Sequence, residues 1–164
     1  MLVKPLEEKH WQEVQKIYEL GIATKIATFE TEVPSWEIWN KEHFLHSRLI
    51  CEIDERIGAW IALKNMKNNC FKKGVAEISV YTHPACKGLG LGLGFVLMEH
   101  VIRHSEENGI WTLQAQIFEE NKPSIRLHEK TGFRRVGYFE RIEKLDDEWK
   151  NIILFERRSK NVGC

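Results

Sequence analysis

A glycine-dense stretch governs how this sequence is interpreted: residues 87–94 read Lys87-Gly88-Leu89-Gly90-Leu91-Gly92-Leu93-Gly94. The stretch lies between a predicted strand and a predicted helix. A turn without Cβ atoms lets backbone N–H groups close on a phosphate, and the helix N-terminus adds partial positive charge. The stretch lacks both the Gly-Lys-Ser/Thr ending of a Walker A loop and the third glycine of GxGxxG. The stretch therefore indicates a binding site for some other ligand that contains a pyrophosphate. The alternative interpretation is a flexible turn that binds nothing.

The composition is that of a globular chain with one domain over residues 1–164. Of these residues 43% are hydrophobic, which is enough for a sizeable core. Lys+Arg and Asp+Glu number 24 each, so the formal net charge is zero and the basic excess of a nucleic-acid or anionic-membrane binder is missing. We expect no membrane partner and a cytoplasmic location, because no apolar run reaches 18 residues and the N-terminus lacks a signal-peptide pattern.

The cysteines and histidines predict no metal site. The four cysteines, at positions 51, 70, 86 and 164, form no CxxC pair and are interpreted as free thiols. His100 and His104 have the i, i+4 spacing of a metal-binding pair, but no third ligand is evident. We therefore expect no metal.

Hydrophobic periodicity predicts a mixed α/β sheet, because hairpins dominate the first half of the chain and strands alternate with helices in the second. The predicted strands are 2–6, 49–52, 57–63, 75–82, 110–118, 133–142 and 149–156, and the predicted helices are 7–21, 34–47, 91–107 and 123–130. Alternation in strand 75–82 places Glu77 on one face with Val75, Ser79 and Tyr81. Its carboxylate is either a general base inside the sheet or an ordinary solvent-facing strand residue.

Two segments resemble the cofactor-binding segments of the GNAT superfamily of N-acetyltransferases. Residues 83–92 resemble that family's acetyl-CoA pyrophosphate loop, Gln/Arg-x-x-Gly-x-Gly/Ala, with Lys87 where Gln or Arg is usual. Residues 121–133, which run from Asn through a short helix to Gly-Phe, resemble the second segment that contacts CoA. The resemblance implies the GNAT fold, a mixed twisted central sheet with a splayed pair of strands, flanked by helices.

Three further stretches, 27–32, 76–81 and 124–128, are similar to the phosphinothricin acetyltransferase branch, which acetylates the α-amine of amino acids and their analogues. In that branch Glu77 is implied as the general base, and His128 as the group that either protonates the departing thiolate or relays the amine proton. Phe29, Glu30 and Trp149 match positions near the substrate pocket of that branch. The two aromatic residues are equally consistent with ordinary core residues. The implied acetyl-CoA-binding residues are Val80, Tyr81, Thr82, Lys87, Gly88, Leu89, Gly90, Leu91, Gly92, Leu93, Asn121 and Ser124.

The sequence departs from the branch where the substrate would be recognised. Relatives place an arginine shortly before the strand that carries Glu77, but residues 68–73 contain none, so Lys72 or Lys73 is the nearest cation in sequence. Residues 147–151 likewise replace a usual Gly-x-Trp/Tyr-x-Asp. We expect acetylation of a small primary amine such as the α-amine of an amino acid, phosphinothricin, or methionine sulfoximine or sulfone, by a homodimer. The alternatives are an antibiotic, a polyamine or a protein N-terminus as the amine, or a CoA-binding sensor without transfer activity.

Overall fold

The computed structural model describes residues 1–66, 74–87 and 90–164. Seven strands form one sheet in the order β1-β2-β3-β4-β5-β7-β6, in which β4 and β5 are parallel and the other neighbours antiparallel. The predicted mixed α/β fold is therefore confirmed. The strands are β1 (Leu2–Pro5), β2 (His43–Ile53), β3 (Arg56–Asn65), β4 (Val75–Thr82), β5 (Thr112–Phe118), β6 (Arg134–Leu145) and β7 (Glu148–Arg158), and the α-helices are α1 (Trp11–Ala23), α2 (Trp36–Glu42), α3 (Leu93–Glu107) and α4 (Lys122–Lys130).

Helices cover both faces of the sheet. On one face, α3 packs Leu97, Met98 and Val101 against alternate residues of β2, β3 and β4. On the other face, α1 and α2 enclose an aromatic cluster in which Trp39 and Trp60 are almost fully buried. The predicted alternation of side chains along β4 is confirmed. Ala76 and Ile78 belong to the core under α3, whereas Tyr81 packs against the aromatic cluster on the other face.

The second predicted helix is wrong in its length. Ser35 caps it as its side-chain oxygen accepts from the backbone N–H of Ile38, but the helix ends at Glu42 instead of residue 47. His43 is already in β2 and pairs with Lys64 of β3. Strand pairing outweighs helical periodicity here, so the hairpin of β2 and β3 is longer than predicted.

The first helix does not end at Gly21 but continues to Ala23. A Cβ atom at Gly21 would lie 2.5 Å from Cδ1 of Tyr81. This glycine is therefore required by the close approach of the Tyr81 ring to α1, and the prediction that the helix ends there is wrong. In the part of the chain that the structure describes, no helix is long and apolar enough to cross a bilayer.

Candidate active site

The strands β4 and β5 part over most of their length and leave an opening in the sheet. The two strands pair over only three positions, Val75 to Glu77 of β4 with Thr112 to Gln114 of β5. Beyond Glu77 they diverge, while β4 remains paired with β3 as far as Thr82. A cavity of about 1020 Å³, here called the splay cavity, lies at this divergence. One edge of β4 therefore offers backbone groups that β5 does not satisfy.

The connection from β4 to α3 closes one end of this cavity, the α3 end. Lys87, Gly90, Leu91, Gly92 and Leu93 line it, as do Val80, Tyr81 and Thr82 of β4. Gly90 and Gly92 have φ values of +69° and +63°, and a Cβ atom built on either meets nothing within 4 Å. The glycines thus supply left-handed turns and open space at the start of a 15-residue helix. Gly88 and Leu89 lie outside the described residues.

Helix α4 also contributes to the lining of the α3 end, where Leu127 lies against Gly94. The Asn121 side-chain oxygen accepts from the Ser124 N–H at 3.2 Å, which caps the helix and leaves the Asn121 amide N–H groups for another partner. Both residues line the cavity, together with the cations Arg126 and Lys130. With Lys87, these residues give the α3 end three positive side chains.

Glu77 lies where β4 and β5 begin to part, half-buried at the wall of the cavity. Burial raises the pKa of the Glu77 carboxyl, and the nearby charge of Lys64 opposes that rise. Lys64 of β3 is the residue directly opposite Glu77, and the Nζ of Lys64 lies 2.8 Å from Oε2 of Glu42. A carboxyl with a raised pKa is suited to accepting a proton near neutrality.

His128 is buried in α4, with 2% of its surface exposed, and its ring lies edge-on to Phe133 at 4.9 Å. Its Nδ1 lies 2.8 Å from the Ser124 carbonyl oxygen. Since a carbonyl can only accept, Nδ1 carries the hydrogen and the neutral ring presents a lone pair at Nε2. Nε2 is buried and has no hydrogen-bond partner among the described residues. Burial also lowers the pKa of His128, which keeps the ring neutral.

The remaining predicted substrate residues divide into two groups. Phe29 and Glu30 line the splay cavity, and the Phe29 ring packs against Phe118 at 4.6 Å between centroids. Trp149 is 54% exposed on β7, beneath the ammonium of Lys144, and is not among the described residues that line the cavity. The structure thus brings together every described candidate except Trp149.

Several residues of the cavity were missed from sequence. Lys64, Glu42 and His43 line the end opposite α3, here called the β3 end, together with Glu30 and Glu77. The predicted strand ends at residue 63, although Lys64 continues the alternation of Trp60 and Ala62 along β3. Extending that alternation by one residue would have placed it on the same face as Glu77.

Nothing in the described ranges forms a group of three or more His, Cys, Asp or Glu side chains that could hold a metal. The described cysteines, Cys51, Cys86 and Cys164, are free thiols. Cys70 falls outside the described residues.

Comparison with known proteins defines the class. The chain belongs to the acetyltransferase (GNAT) family, whose model matches residues 11–133, and it is therefore an acyltransferase. It is similar to "Putative phosphinothricin acetyltransferase YwnH" of Bacillus subtilis (strain 168), with 32% identity over 162 residues, which cover 96% of this chain and 98% of the relative. The expected resemblance to the phosphinothricin acetyltransferase branch is confirmed.

Two further proteins are similar over different lengths. The L-methionine sulfoximine/L-methionine sulfone acetyltransferase of Salmonella typhimurium (strain LT2) is 31% identical over 80 residues, which are 49% of this chain and 46% of that protein. The structure of a GNAT superfamily phosphinothricin acetyltransferase (Pat) from Sinorhizobium meliloti in complex with AcCoA has a TM-score of 0.86. Its alignment covers 99% of this chain and 90% of that one at 18% identity, so it establishes the fold.

Proposed function

We propose that this acetyltransferase moves the acetyl group of acetyl-CoA to the α-amine of an amino acid or of an analogue such as phosphinothricin, methionine sulfoximine or methionine sulfone. Relatives named for these substrates support this choice of amine, and the S. meliloti structure, which has the same fold, holds acetyl-CoA. The observation that carries the proposal is the position of Glu77, where a half-buried carboxylate meets the diverging strands.

The α3 end of the splay cavity suits acetyl-CoA. Its open glycine turns lie at the N-terminus of α3, where backbone N–H groups favour a pyrophosphate. Lys87, Arg126 and Lys130 balance phosphate charge. The unpaired edge of β4 beyond Glu77 and the amide of Asn121 supply hydrogen-bond partners for pantetheine.

The proton transfers use two titratable groups at the cavity, the half-buried Glu77 and the buried His128. Glu77 takes one proton from the substrate ammonium, and the neutral amine then attacks the thioester carbonyl carbon. Nitrogen must lose a second proton as the C–S bond breaks, and the lone pair at Nε2 of His128 can receive it and pass it to the departing sulfur. His128 acts as a relay in this scheme, because its hydrogen-bonded tautomer and lowered pKa make a pre-protonated acid unfavourable.

A thiol-release assay tests the proposal. Acetyl-CoA is incubated with the enzyme and a panel of the twenty amino acids, phosphinothricin, methionine sulfoximine and sulfone, with spermidine, an aminoglycoside and a peptide N-terminus as the rival amines. We expect acetyl-CoA-dependent release with at least one amino acid or analogue. Release with a rival amine alone would reject the substrate class, and binding of acetyl-CoA without release on any amine would favour a sensor.

We further propose that the enzyme is a homodimer and that it is located in the cytoplasm. Large apolar side chains are exposed along the β6–β7 hairpin, namely Val136, Tyr138, Phe139, Ile142 and Trp149. Apolar side chains exposed along a hairpin at the sheet edge favour burial against a second copy. Light scattering should give twice the chain mass, and Ile142→Lys should shift the mass towards that of one chain. The free thiols and the use of acetyl-CoA support the location.

A further inference from the structure

The β3 end of the splay cavity carries a cation beside the proposed base. Lys64 and Glu77 are directly opposed on β3 and β4, so their side chains leave the same face of the sheet with Cβ atoms about 5 Å apart. Both side chains line the cavity. Of the described residues at this end, Lys64 provides the positive charge, beside the carboxylates of Glu30, Glu42 and Glu77.

We infer that Lys64 binds the carboxylate of the substrate while Glu77 engages its amine. The inference rests on the proposed function and names the residue that recognises an α-amino acid. In such a substrate the amine and the carboxylate share one carbon, so a base and a cation on opposed residues can engage both at once. An unpaired carboxylate in the cavity would be costly, and the arginine expected for this task is absent from residues 68–73.

Glu42 acts on Lys64 as a positioning residue. The Lys64–Glu42 pair is 2.8 Å long, and the two side chains are 38% and 39% exposed. A half-exposed ion pair of this kind is weak, so a substrate carboxylate can compete with Glu42 for the ammonium. The ammonium also has three donors, so it can remain bonded to Glu42 while it donates to the substrate. Glu42 therefore holds Lys64 in the cavity and lowers its affinity for a second anion.

The test compares L-methionine sulfone with its α-carboxamide, which keeps the amine and removes the negative charge. The readout is the ratio of kcat/KM for the acid to kcat/KM for the amide, because a general loss of folding or of acetyl-CoA binding cancels in it. Lys64→Met should lower this ratio about tenfold or more, and Lys64→Arg should restore part of it. Glu42→Gln should raise the ratio, since the ammonium loses its competing carboxylate.

The double variant Lys72→Ala/Lys73→Ala tests the rival assignment, in which one of these lysines, which precede β4 in sequence, binds the substrate carboxylate. A ratio that is unchanged in Lys64→Met, or that falls in the double variant alone, would overturn the assignment of Lys64. A wild-type enzyme that acetylates the amide as well as the acid would overturn it too. If neither compound nor any other amino acid is acetylated, the proposed function itself fails and the Lys64 inference fails with it.

Discussion

Lys64 and Glu77 face each other across β3 and β4 at the last position where β4 still pairs with β5. This placement sets two opposing influences on the carboxyl. Burial at the wall of the splay cavity raises the pKa of Glu77, whereas the ammonium of Lys64 lowers it. The pKa of the proposed base is thus set first by burial and is moderated by the charge of a residue on the neighbouring strand.

The first prediction concerns the pH dependence of the rate. Glu77 must be deprotonated to accept a proton, so kcat/KM rises with pH through its pKa. Lys64→Met removes the influence that lowers this pKa, and the acid limb of the profile should move to higher pH. The profile is measured with the amide substrate, which has no carboxylate to bind. An acid limb that stays in place or moves to lower pH would contradict the electrostatic coupling.

The second prediction concerns His128. His128→Phe keeps an aromatic ring beside Phe133 but removes the lone pair at Nε2, so it avoids the cavity that alanine would leave. We expect kcat to fall about 100-fold while acetyl-CoA affinity changes little, because relays of this kind contribute ~100- to 10,000-fold. Steady-state kinetics and calorimetric titration separate the two quantities. A wild-type kcat would place the proton transfer elsewhere.

Much of the fold could be predicted because its signals are local. The alternation of β4 and the glycines before α3 each placed an element correctly. The secondary structure was predicted wrongly at residues whose conformation depends on partners that are distant in sequence. His43 looks helical from its spacing to Trp39, but its pairing with Lys64 puts it in a strand. Gly21 resembles a helix end until the ring of Tyr81 is packed against it.

The candidate site divides in the same way. The glycine turn and Asn121 lie in contiguous motifs, so the sequence alone could single them out, and the structure has both at the splay cavity. Lys64 and Glu42 come from β3 and the end of α2, and strand register brings them to Glu77. Trp149 was placed near the pocket by motif position alone, whereas the structure has it exposed on β7.

The third prediction tests the glycine turn. Gly90→Val adds a side chain at φ +69°, where nothing lies within 4 Å in the free protein, so it obstructs only what binds there. Gly109→Val is the control, because Gly109 has φ +74° and equally open surroundings at the far end of α3. Both variants should lose similar stability through backbone strain. Gly90→Val alone should lose acetyl-CoA binding.

Thermal unfolding with and without acetyl-CoA measures this difference. At 100 times the dissociation constant, the ligand should raise the free energy of unfolding of the Gly109→Val control by about 2.7 kcal/mol. Gly90→Val should gain little. An equal rise in the free energy of unfolding of both variants would contradict a role of the turn in binding acetyl-CoA. A rise in the wild type with pantetheine that equals the rise with acetyl-CoA would contradict it as well.

The fourth prediction concerns stability in acid. His43 stacks on Trp39 at 4.1 Å, and burial lowers its pKa from the ordinary 6.5 to about 4. Between these values the unfolded chain binds a proton that the folded chain does not, so the free energy of unfolding falls as the pH falls from 6.5 to about 4. The loss due to His43 should be of the order of 3 kcal/mol, and it should vanish above pH 6.5.

His43→Phe isolates this loss, because it retains a ring against Trp39 and cannot titrate. Denaturant unfolding at a series of pH values should show a shallower decline for the variant than for the wild type. The difference between the two curves removes the contribution of the other histidines. Parallel curves would mean that His43 is not held neutral by the fold.

The role of Glu77 as the base is tested most directly by the rate of acetyl-CoA-dependent thiol release, measured for the wild type and for Glu77→Gln at neutral and at high pH. Glutamine keeps the shape of the side chain at the divergence of β4 and β5 but cannot accept the proton. We expect the rate of Glu77→Gln to be lower by about 100-fold or more at neutral pH, and the loss to narrow at high pH, where the amine deprotonates without help. A wild-type rate at neutral pH and saturating substrate, or a loss that is the same at both pH values, would contradict Glu77 as the base.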